Sequence, residues 1–158
     1  MIDRPRGTET LRTAPGGPAR PVVLATLSVR VHPNAERVAL ESALEAGVPL
    51  IVANMIPLQA YPMTMILAPQ YTTLPHEEDL EAVRATAQRA AELGIKTELL
   101  RISSRRPVHA LLELVSERDA GLLVFGPDLS RTPRLRFRLA ARAVRRGAAC
   151  LVWIAPDG

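Results

Sequence analysis

A short turn between an apolar run and an arginine-rich run holds the residue types best suited to bind a ligand. Residues 126–130 read Gly-Pro-Asp-Leu-Ser; they follow the apolar run Leu122–Phe125 and open a helix predicted over 131–146. In α/β proteins, backbone N–H groups at a helix start of this kind bind anions, phosphate above all. Phosphate loops usually carry a second glycine that lets the backbone approach the ligand, and Leu129 takes that place here. The turn therefore predicts an anion site with incomplete phosphate-loop chemistry.

The helix after this turn carries arginines at spacings of three and four residues, which places them on one helical face. They are Arg131, Arg134, Arg138, Arg142 and Arg145. Leu135, Leu139 and Ala143 share another face, which we expect to pack on a sheet. Two interpretations of the arginine face stay open, a solvated surface and an anion-binding ridge for nucleic acid, nucleotide or an acidic protein. The arginine face itself carries no aromatic side chain, so contact with nucleic acid would be to phosphates and would weaken with salt.

Composition and charge fit one α/β domain. Of the 158 residues, 47% are hydrophobic and only 3% are aromatic, so the core must consist of Val, Leu, Ile and Ala, as in helices packed on a parallel sheet. The net charge is +4, and residues 121–158 hold seven arginines against two acidic residues. The excess positive charge therefore lies at the C-terminal end of the chain.

Several functional classes are disfavoured. The single cysteine, Cys150, excludes an intrachain disulfide and fits a cytoplasmic protein. No apolar run approaches a membrane span and no secretion signal is evident, so we expect no membrane partner. The histidines lie far apart and predict no metal site. Ser130 is not in a nucleophile elbow, and no group of residues supports a named reaction.

The elements that must position the turn alternate along the chain. Residues 1–20 are rich in proline, glycine and arginine and predict a disordered tail, which leaves 21–158 as the folded domain. Apolar runs predict strands at Val22–Ser28, Leu50–Ile56, Thr97–Ile102, Leu122–Phe125 and Leu151–Ala155. Amphipathic periods predict helices at Asn34–Ala46, Glu77–Leu93, Pro107–Arg118 and 131–146. Such alternation predicts a parallel sheet with right-handed crossovers. The apolar connection 57–75 is expected to cover the sheet edge or the crevice, or to serve as a lid or a partner contact.

Three segments give the chain a resemblance to the universal stress protein family. Pro49–Pro57 resembles the family's second strand with its closing proline, Asp119–Gly126 resembles its "aDLIVMG" run, and Gly147–Trp153 resembles its "apCPVLVV" ending. The resemblance implies a Rossmann-like, five-stranded parallel sheet of order 3-2-1-4-5 with helices on both faces. Ligands in such sheets bind where the strand order reverses, here between strands 1 and 4.

The resemblance also implies a candidate nucleotide crevice. Its residues would be Thr26, Leu27, Ser28, Ala53, Gly126, Asp128, Ser130, Arg131 and Arg138. ATP-binding members carry G-x2-G-x9-G-[S/T] after strand 4, and this chain matches only Gly126, with Leu129 and Leu139 at the other glycine positions. Such members also carry an acidic residue at the end of strand 1, which Ala25–Ser28 lacks. The chain thus resembles the branch without the ATP motif, and we expect no cofactor. The alternative keeps ATP or AMP in the crevice through a divergent phosphate loop, and it implies at most weak ATP hydrolysis.

The last strand predicts a partner surface. Strand 5 is an edge strand in this order, and apolar edges are usually covered. Family members commonly pair edge to edge, which implies a homodimer through Leu151, Val152, Trp153 and Ile154, with Trp153 as its anchor. The function expected from the sequence is a stress-linked binding or regulatory module. The alternatives are the nucleotide binder and a protein that binds anions or nucleic acid through the arginine face.

Overall fold

The computed structural model describes residues 19–58 and 76–156. Its strands are β1 (Val22–Thr26), β2 (Leu50–Pro57), β3 (Thr97–Ser104), β4 (Leu122–Phe125) and β5 (Leu151–Ile154). Its helices are α1 (Pro33–Ala46), α2 (Glu77–Glu92), α3 (Pro107–Glu117) and α4 (Arg134–Gly147). The strands form one parallel sheet of order β3-β2-β1-β4-β5, which confirms the predicted fold class. Of the predicted tail 1–20 only residues 19 and 20 are described, and of the predicted connection 57–75 only residues 57 and 58, so the rest of both predictions lies outside the described residues.

Two apolar layers sandwich the sheet, because successive side chains of a strand point to opposite faces. On one face, Val23 and Ala25 of β1 pack with α3 and α4, including Leu111 and Val144. On the other face, Val22 and Leu24 pack with α1 and α2. The alanines of α1 at positions 35, 39 and 43 are almost completely buried. Small side chains at these positions let α1 lie close to the sheet.

Helix α4 differs from its prediction in two ways. It begins at Arg134 instead of Arg131, because Pro133 takes an extended backbone conformation and the preceding residues form a turn. Its buried residues are Ala140 and Val144, whereas Leu135 and Leu139 are 69% and 60% exposed. The expectation that these leucines face the sheet is therefore wrong.

The buried face of α4 is instead the one that holds Phe137, whose ring stacks on Phe125 of β4 with centroids 6.0 Å apart. Arg131 lies outside the helix, so it does not belong to the helical arginine face. That face consists of Arg134, Arg138, Arg142 and Arg145.

Candidate functional site

The crevice lies where the strand order reverses, at the carboxyl ends of β1 and β4. Ala25 pairs with Phe125 at these ends, so the loop after β1 and the loop after β4 leave the sheet side by side. Ser28 has a positive φ of 60°, which turns the first loop away from the strand direction and ends β1 two residues earlier than predicted.

The two loops are hydrogen-bonded to each other across the crevice. Val31 and Pro127 form an antiparallel bridge. The His32 N–H donates to the Gly126 carbonyl at 2.8 Å, and the Asp128 N–H donates to the Arg30 carbonyl at 2.9 Å. These bonds satisfy backbone groups that a ligand at this place would otherwise use. The two crevice loops are consequently held together by their own backbones.

Gly126 packs against a helix. A Cβ atom at Gly126 would lie 2.0 Å from the Cβ of Ala35 and 3.5 Å from its Cα, so the first turn of α1 touches the glycine directly. The φ angle of Gly126 is outside the left-handed region, and the need for glycine here is therefore steric. From the sequence, Gly126 was predicted to be the first glycine of a phosphate loop. In the fold, the missing side chain of Gly126 lets α1 lie close to β4.

Asp128 and Ser130 interact with each other at the turn. The Asp128 carboxylate accepts hydrogen bonds from the Ser130 N–H at 3.0 Å and from the Ser130 hydroxyl at 2.7 Å. The Thr132 hydroxyl and the Arg131 N–H both donate to the Asp128 carbonyl. The donors that were expected to hold a phosphate thus face a carboxylate of the same turn. Pro133, immediately before α4, has no N–H to offer.

A buried carboxylate from α2 completes the crevice. Asp79 is 1% exposed, and its oxygens accept from the Arg30 Nε at 3.2 Å and from the Arg131 Nε and Nη2 at 3.1 and 2.9 Å. The backbone N–H of Arg30 also donates to Asp79, at 3.2 Å. Arg30 follows β1 and Arg131 follows β4. One carboxylate therefore joins both crevice loops to the first turn of α2.

The ionisation of Asp79 follows from these contacts. Burial alone raises the pKa of the carboxyl, but the hydrogen bonds from Arg131 and Arg30 outweigh it and hold the pKa below its ordinary value. Asp79 is thus charged at neutral pH, and it balances part of the positive charge that the two arginines bring into the crevice.

Asp79 and Arg30 are not among the site residues predicted from the sequence. A signal was nevertheless present, because Asp79 shares a helical face with the buried residues Val83, Thr86 and Ala90. A carboxylate on the buried face of a helix requires a partner, since unpaired buried charge is costly.

A second polar network links α1 and α2 beside the crevice. Glu36 accepts from the Arg89 Nε at 2.6 Å and Nη2 at 2.8 Å, and from the Thr86 hydroxyl at 2.8 Å. Burial raises the pKa of Glu36, but the bonds from Arg89 and Thr86 outweigh this and lower it. A groove of about 560 Å³ runs between the two helices next to this network, and Leu40 and Leu93 contribute to its apolar walls.

The other predicted crevice residues are mostly inaccessible. Thr26 and Ala53 are completely buried, and Leu27 is nearly so. The Thr26 hydroxyl donates to the Val29 carbonyl at 2.6 Å, and the Ser28 N–H donates to the Asn54 side chain at 3.1 Å. The fold therefore places Ser28, Gly126, Asp128, Ser130 and Arg131 in the loops that follow β1 and β4, whereas Thr26, Leu27 and Ala53 are buried.

Arg138 lines a different groove, of about 540 Å³, between α4 and the end of β5, with Phe137 and Ile154. A metal site is not evident in the described part of the chain, where no three His, Cys, Asp or Glu side chains are grouped to hold an ion.

The chain matches a known protein family over nearly all of its described residues. The model of the universal stress protein family matches residues 18–156. The chain belongs to the universal stress protein family. No curated protein matches it.

Solved universal stress proteins share the fold. One from Archaeoglobus fulgidus, in complex with dAMP, is 23% identical over 87% of this chain and 98% of its own, with a TM-score of 0.57. A universal stress protein in complex with cAMP is 22% identical over 90% of this chain and 100% of its own, with a TM-score of 0.61. The UspA protein of Lactobacillus plantarum is 15% identical over 88% of this chain and 99% of its own, with a TM-score of 0.63.

In this universal stress protein fold, β5 is the edge strand that the sequence predicted. Leu151 is 76% exposed, Val152 and Trp153 are half-buried and Ile154 is buried. Trp153 packs partly against the apolar layer beneath α1 and α2. Of the four predicted dimer residues, Leu151 offers the most free surface.

The arginine face of α4 is solvent-exposed. The helix has no acidic residue in its first turn, and Arg134, Arg138 and Arg142 make no ion pair with any other described residue. Across residues 19–58 and 76–156, no helix has the length and apolar character needed to cross a membrane.

Proposed function

We propose that this universal stress protein is a binding or regulatory module that acts without ordinary ATP binding, as a cytoplasmic homodimer linked to the stress response. One observation carries the proposal: the anion donors of the crevice are already bonded to the protein's own carboxylates. The Asp128 carboxylate accepts hydrogen bonds from the N–H and the hydroxyl of Ser130. The Asp79 carboxylate accepts hydrogen bonds from the guanidinium groups of Arg30 and Arg131.

Charge supports this proposal. A triphosphate placed at the turn would lie beside the carboxylates of Asp79 and Asp128, and like charges a few ångströms apart repel each other. It would also have to replace the backbone bonds between the loops. The sequence adds Leu129 and Leu139 at positions where the ATP-binding branch has glycine. None of these features supplies the close backbone approach that phosphate binding needs.

The alternative, a nucleotide-binding protein with a divergent phosphate loop, draws support from the relatives. Two solved universal stress proteins of this fold are complexes with dAMP and with cAMP. In that case Ser28, Ser130 and Arg131 would be the ligand contacts, and ATP or AMP would be the cofactor.

A second candidate function uses the arginine face of α4 to bind an anionic partner, either nucleic acid or an acidic protein. The observation that favours it is the set of exposed arginines without acidic neighbours on the same helix. Homodimerisation through β5 is supported by the exposed Leu151 at the sheet edge.

Thermal unfolding with and without millimolar ATP, AMP and cAMP, in the presence of magnesium, tests the proposal. A ligand at a hundred times its dissociation constant adds about 2.7 kcal/mol, which raises Tm by roughly 5–10 °C for a domain of this size. We expect no shift for the wild type. The comparison variant is Leu129→Gly, which restores one glycine of the motif. A wild-type shift that grows in this variant would make the nucleotide alternative the function.

A further inference from the structure

We infer that the groove between α4 and the end of β5 binds an acidic segment of a partner protein. The carboxylates of that segment meet the arginines of α4, and its apolar side chains enter the floor of the groove. The inference rests on the second candidate function, the binding of an anionic partner by the arginine face. It names the class of that partner and assigns the contact to one flank of α4.

The wall of the groove on the α4 side is positively charged. The groove has a volume of about 540 Å³, and its lining includes Arg138, Arg142, Arg145 and Arg146. Of the described residues that line it, none is acidic, and Arg138 and Arg142 make no ion pair with any described residue. A partner with carboxylates would supply the balancing charge, because the planar guanidinium fork matches the two oxygens of a carboxylate.

The floor of the groove is apolar. Ala141 of α4 contributes to it, together with Ile154 and Ala155 at the end of β5. Arginine carries its charge at the tip of a long apolar stem, so the guanidinium groups can lie at the rim while the floor accepts apolar groups. An apolar centre surrounded by a polar rim is the usual anatomy of a protein–protein interface.

Two observations favour a protein over nucleic acid as the occupant. Stacking of bases needs a free aromatic face, whereas the aromatic residue that lines the groove, Phe137, is stacked on Phe125. The same helix also exposes Leu135 and Leu139 beside its arginines. A protein partner can cover these leucines with apolar side chains, but a phosphate backbone has none to offer.

The spacing of the arginines fits an extended segment. Arg138 and Arg142 are four residues apart, which corresponds to about 6 Å along the helix axis. In an extended chain, alternate side chains point to the same side and lie about 6.5–7 Å apart. A segment that alternates acidic and apolar residues can therefore direct successive carboxylates to successive arginines. Its intervening apolar side chains then point to the floor.

Fluorescence anisotropy with two labelled peptides tests the inference. One short peptide alternates glutamate with leucine and the other alternates glutamate with serine, so both carry the same charge. The titrations are made at an ionic strength of about 0.15 M, where the Debye length is about 8 Å and distant charges are largely screened. We expect the wild type to bind the leucine peptide at least tenfold more tightly than the serine peptide, because only leucine fills the apolar floor.

Arg138→Glu and Arg136→Glu are a matched pair of variants. Both arginines are exposed on α4, but Arg138 lines the groove and Arg136 does not. Each substitution reverses one charge at an exposed position, so the fold is expected to tolerate both. We expect Arg138→Glu to weaken binding of the leucine peptide at least tenfold, and Arg136→Glu to weaken it less than threefold.

Two further measurements distinguish the other possible occupants. Duplex DNA replaces the peptide in the first, and DNA that binds the wild type more tightly than the leucine peptide would make nucleic acid the partner. In the second, sedimentation of the wild type is measured with and without the leucine peptide. A dimer that dissociates when the peptide binds would show that a second copy of the chain occupies the groove.

The inference is overturned if the two peptides bind equally or not at all, or if the two variants lose equal affinity. Tighter binding of DNA, or dissociation of a dimer by the peptide, would also overturn it. DNA binding that depends on Arg138 would leave the arginine-face function standing with a different partner, whereas a lack of binding by all three probes would remove that function too. The proposal that ATP is not bound is tested separately, by thermal unfolding.

Discussion

Replacing Gly126 by alanine tests whether this glycine serves packing. The new methyl group would lie 2.0 Å from the Cβ of Ala35, whereas carbon atoms in contact prefer about 3.5–4.0 Å. The start of α1 must therefore move away from β4 by roughly 1.5 Å. Because the opposing atom is attached directly to the backbone, no side-chain rotation relieves the overlap. Overpacking of this kind costs about 1–3 kcal/mol, and we expect Gly126→Ala to lie near 3 kcal/mol.

The second substitution, Ala35→Gly, removes the Cβ atom with which the new methyl group of residue 126 overlaps. Alone it costs about 1–2 kcal/mol, from the lower helix propensity of glycine and the loss of one buried methyl group. In the double variant, the methyl group of residue 126 fills the space that the methyl group of residue 35 leaves. We expect the double variant to be about as stable as Ala35→Gly alone, which corresponds to a coupling of about 3 kcal/mol between the two sites.

Urea unfolding measures all four proteins of this cycle. With a slope of about 2 kcal/mol per molar urea, a loss of 3 kcal/mol lowers the midpoint by roughly 1.5 M. Gly121→Ala is the matched control, at the other end of β4, where the nearest atom to a new Cβ is 3.3 Å away. We expect this control to lose less than about 1 kcal/mol. Additive losses in the double variant, or a Gly126→Ala variant as stable as the control, would refute the packing role.

The remaining predictions concern charge and association. The pKa of Asp79 is lowered in the folded state, so its carboxylate stabilises the fold above the unfolded pKa of about 3.9, and this contribution is lost as pH falls through the lower folded value. Urea midpoints between pH 2.5 and 6 should therefore fall less steeply toward acid in Asp79→Asn than in the wild type; equal slopes would contradict this. Trp153→Glu should give monomers in sedimentation, and a dimeric variant would exclude pairing through β5. If the arginine face binds nucleic acid, replacing Arg134, Arg138 and Arg142 by alanine should reduce both the affinity for duplex DNA and its salt dependence, and an unchanged salt slope would remove that candidate.

The sequence by itself determined the order and type of the elements. The alternation of apolar runs with amphipathic periods is a local property, since a strand or helix needs a suitable face within its own residues. The family resemblance added the strand order, which the sheet confirms, and with it the location of the crevice and of β5 at an edge. The missing glycines at Leu129 and Leu139 could also be read directly from the sequence.

Only the tertiary structure decided which faces and groups meet. Spacing showed that Leu135 and Leu139 share a face of α4, but periodicity does not say which face meets the sheet, and the stacking of Phe137 on Phe125 places the other face inward. Asp79 reaches Arg30 and Arg131 across about fifty residues of chain in each direction. Gly126 meets Ala35 in the same way, through a long-range contact. Such pairs depend on how the helices pack across the sheet, and the helix and strand propensities of the individual residues do not specify that packing.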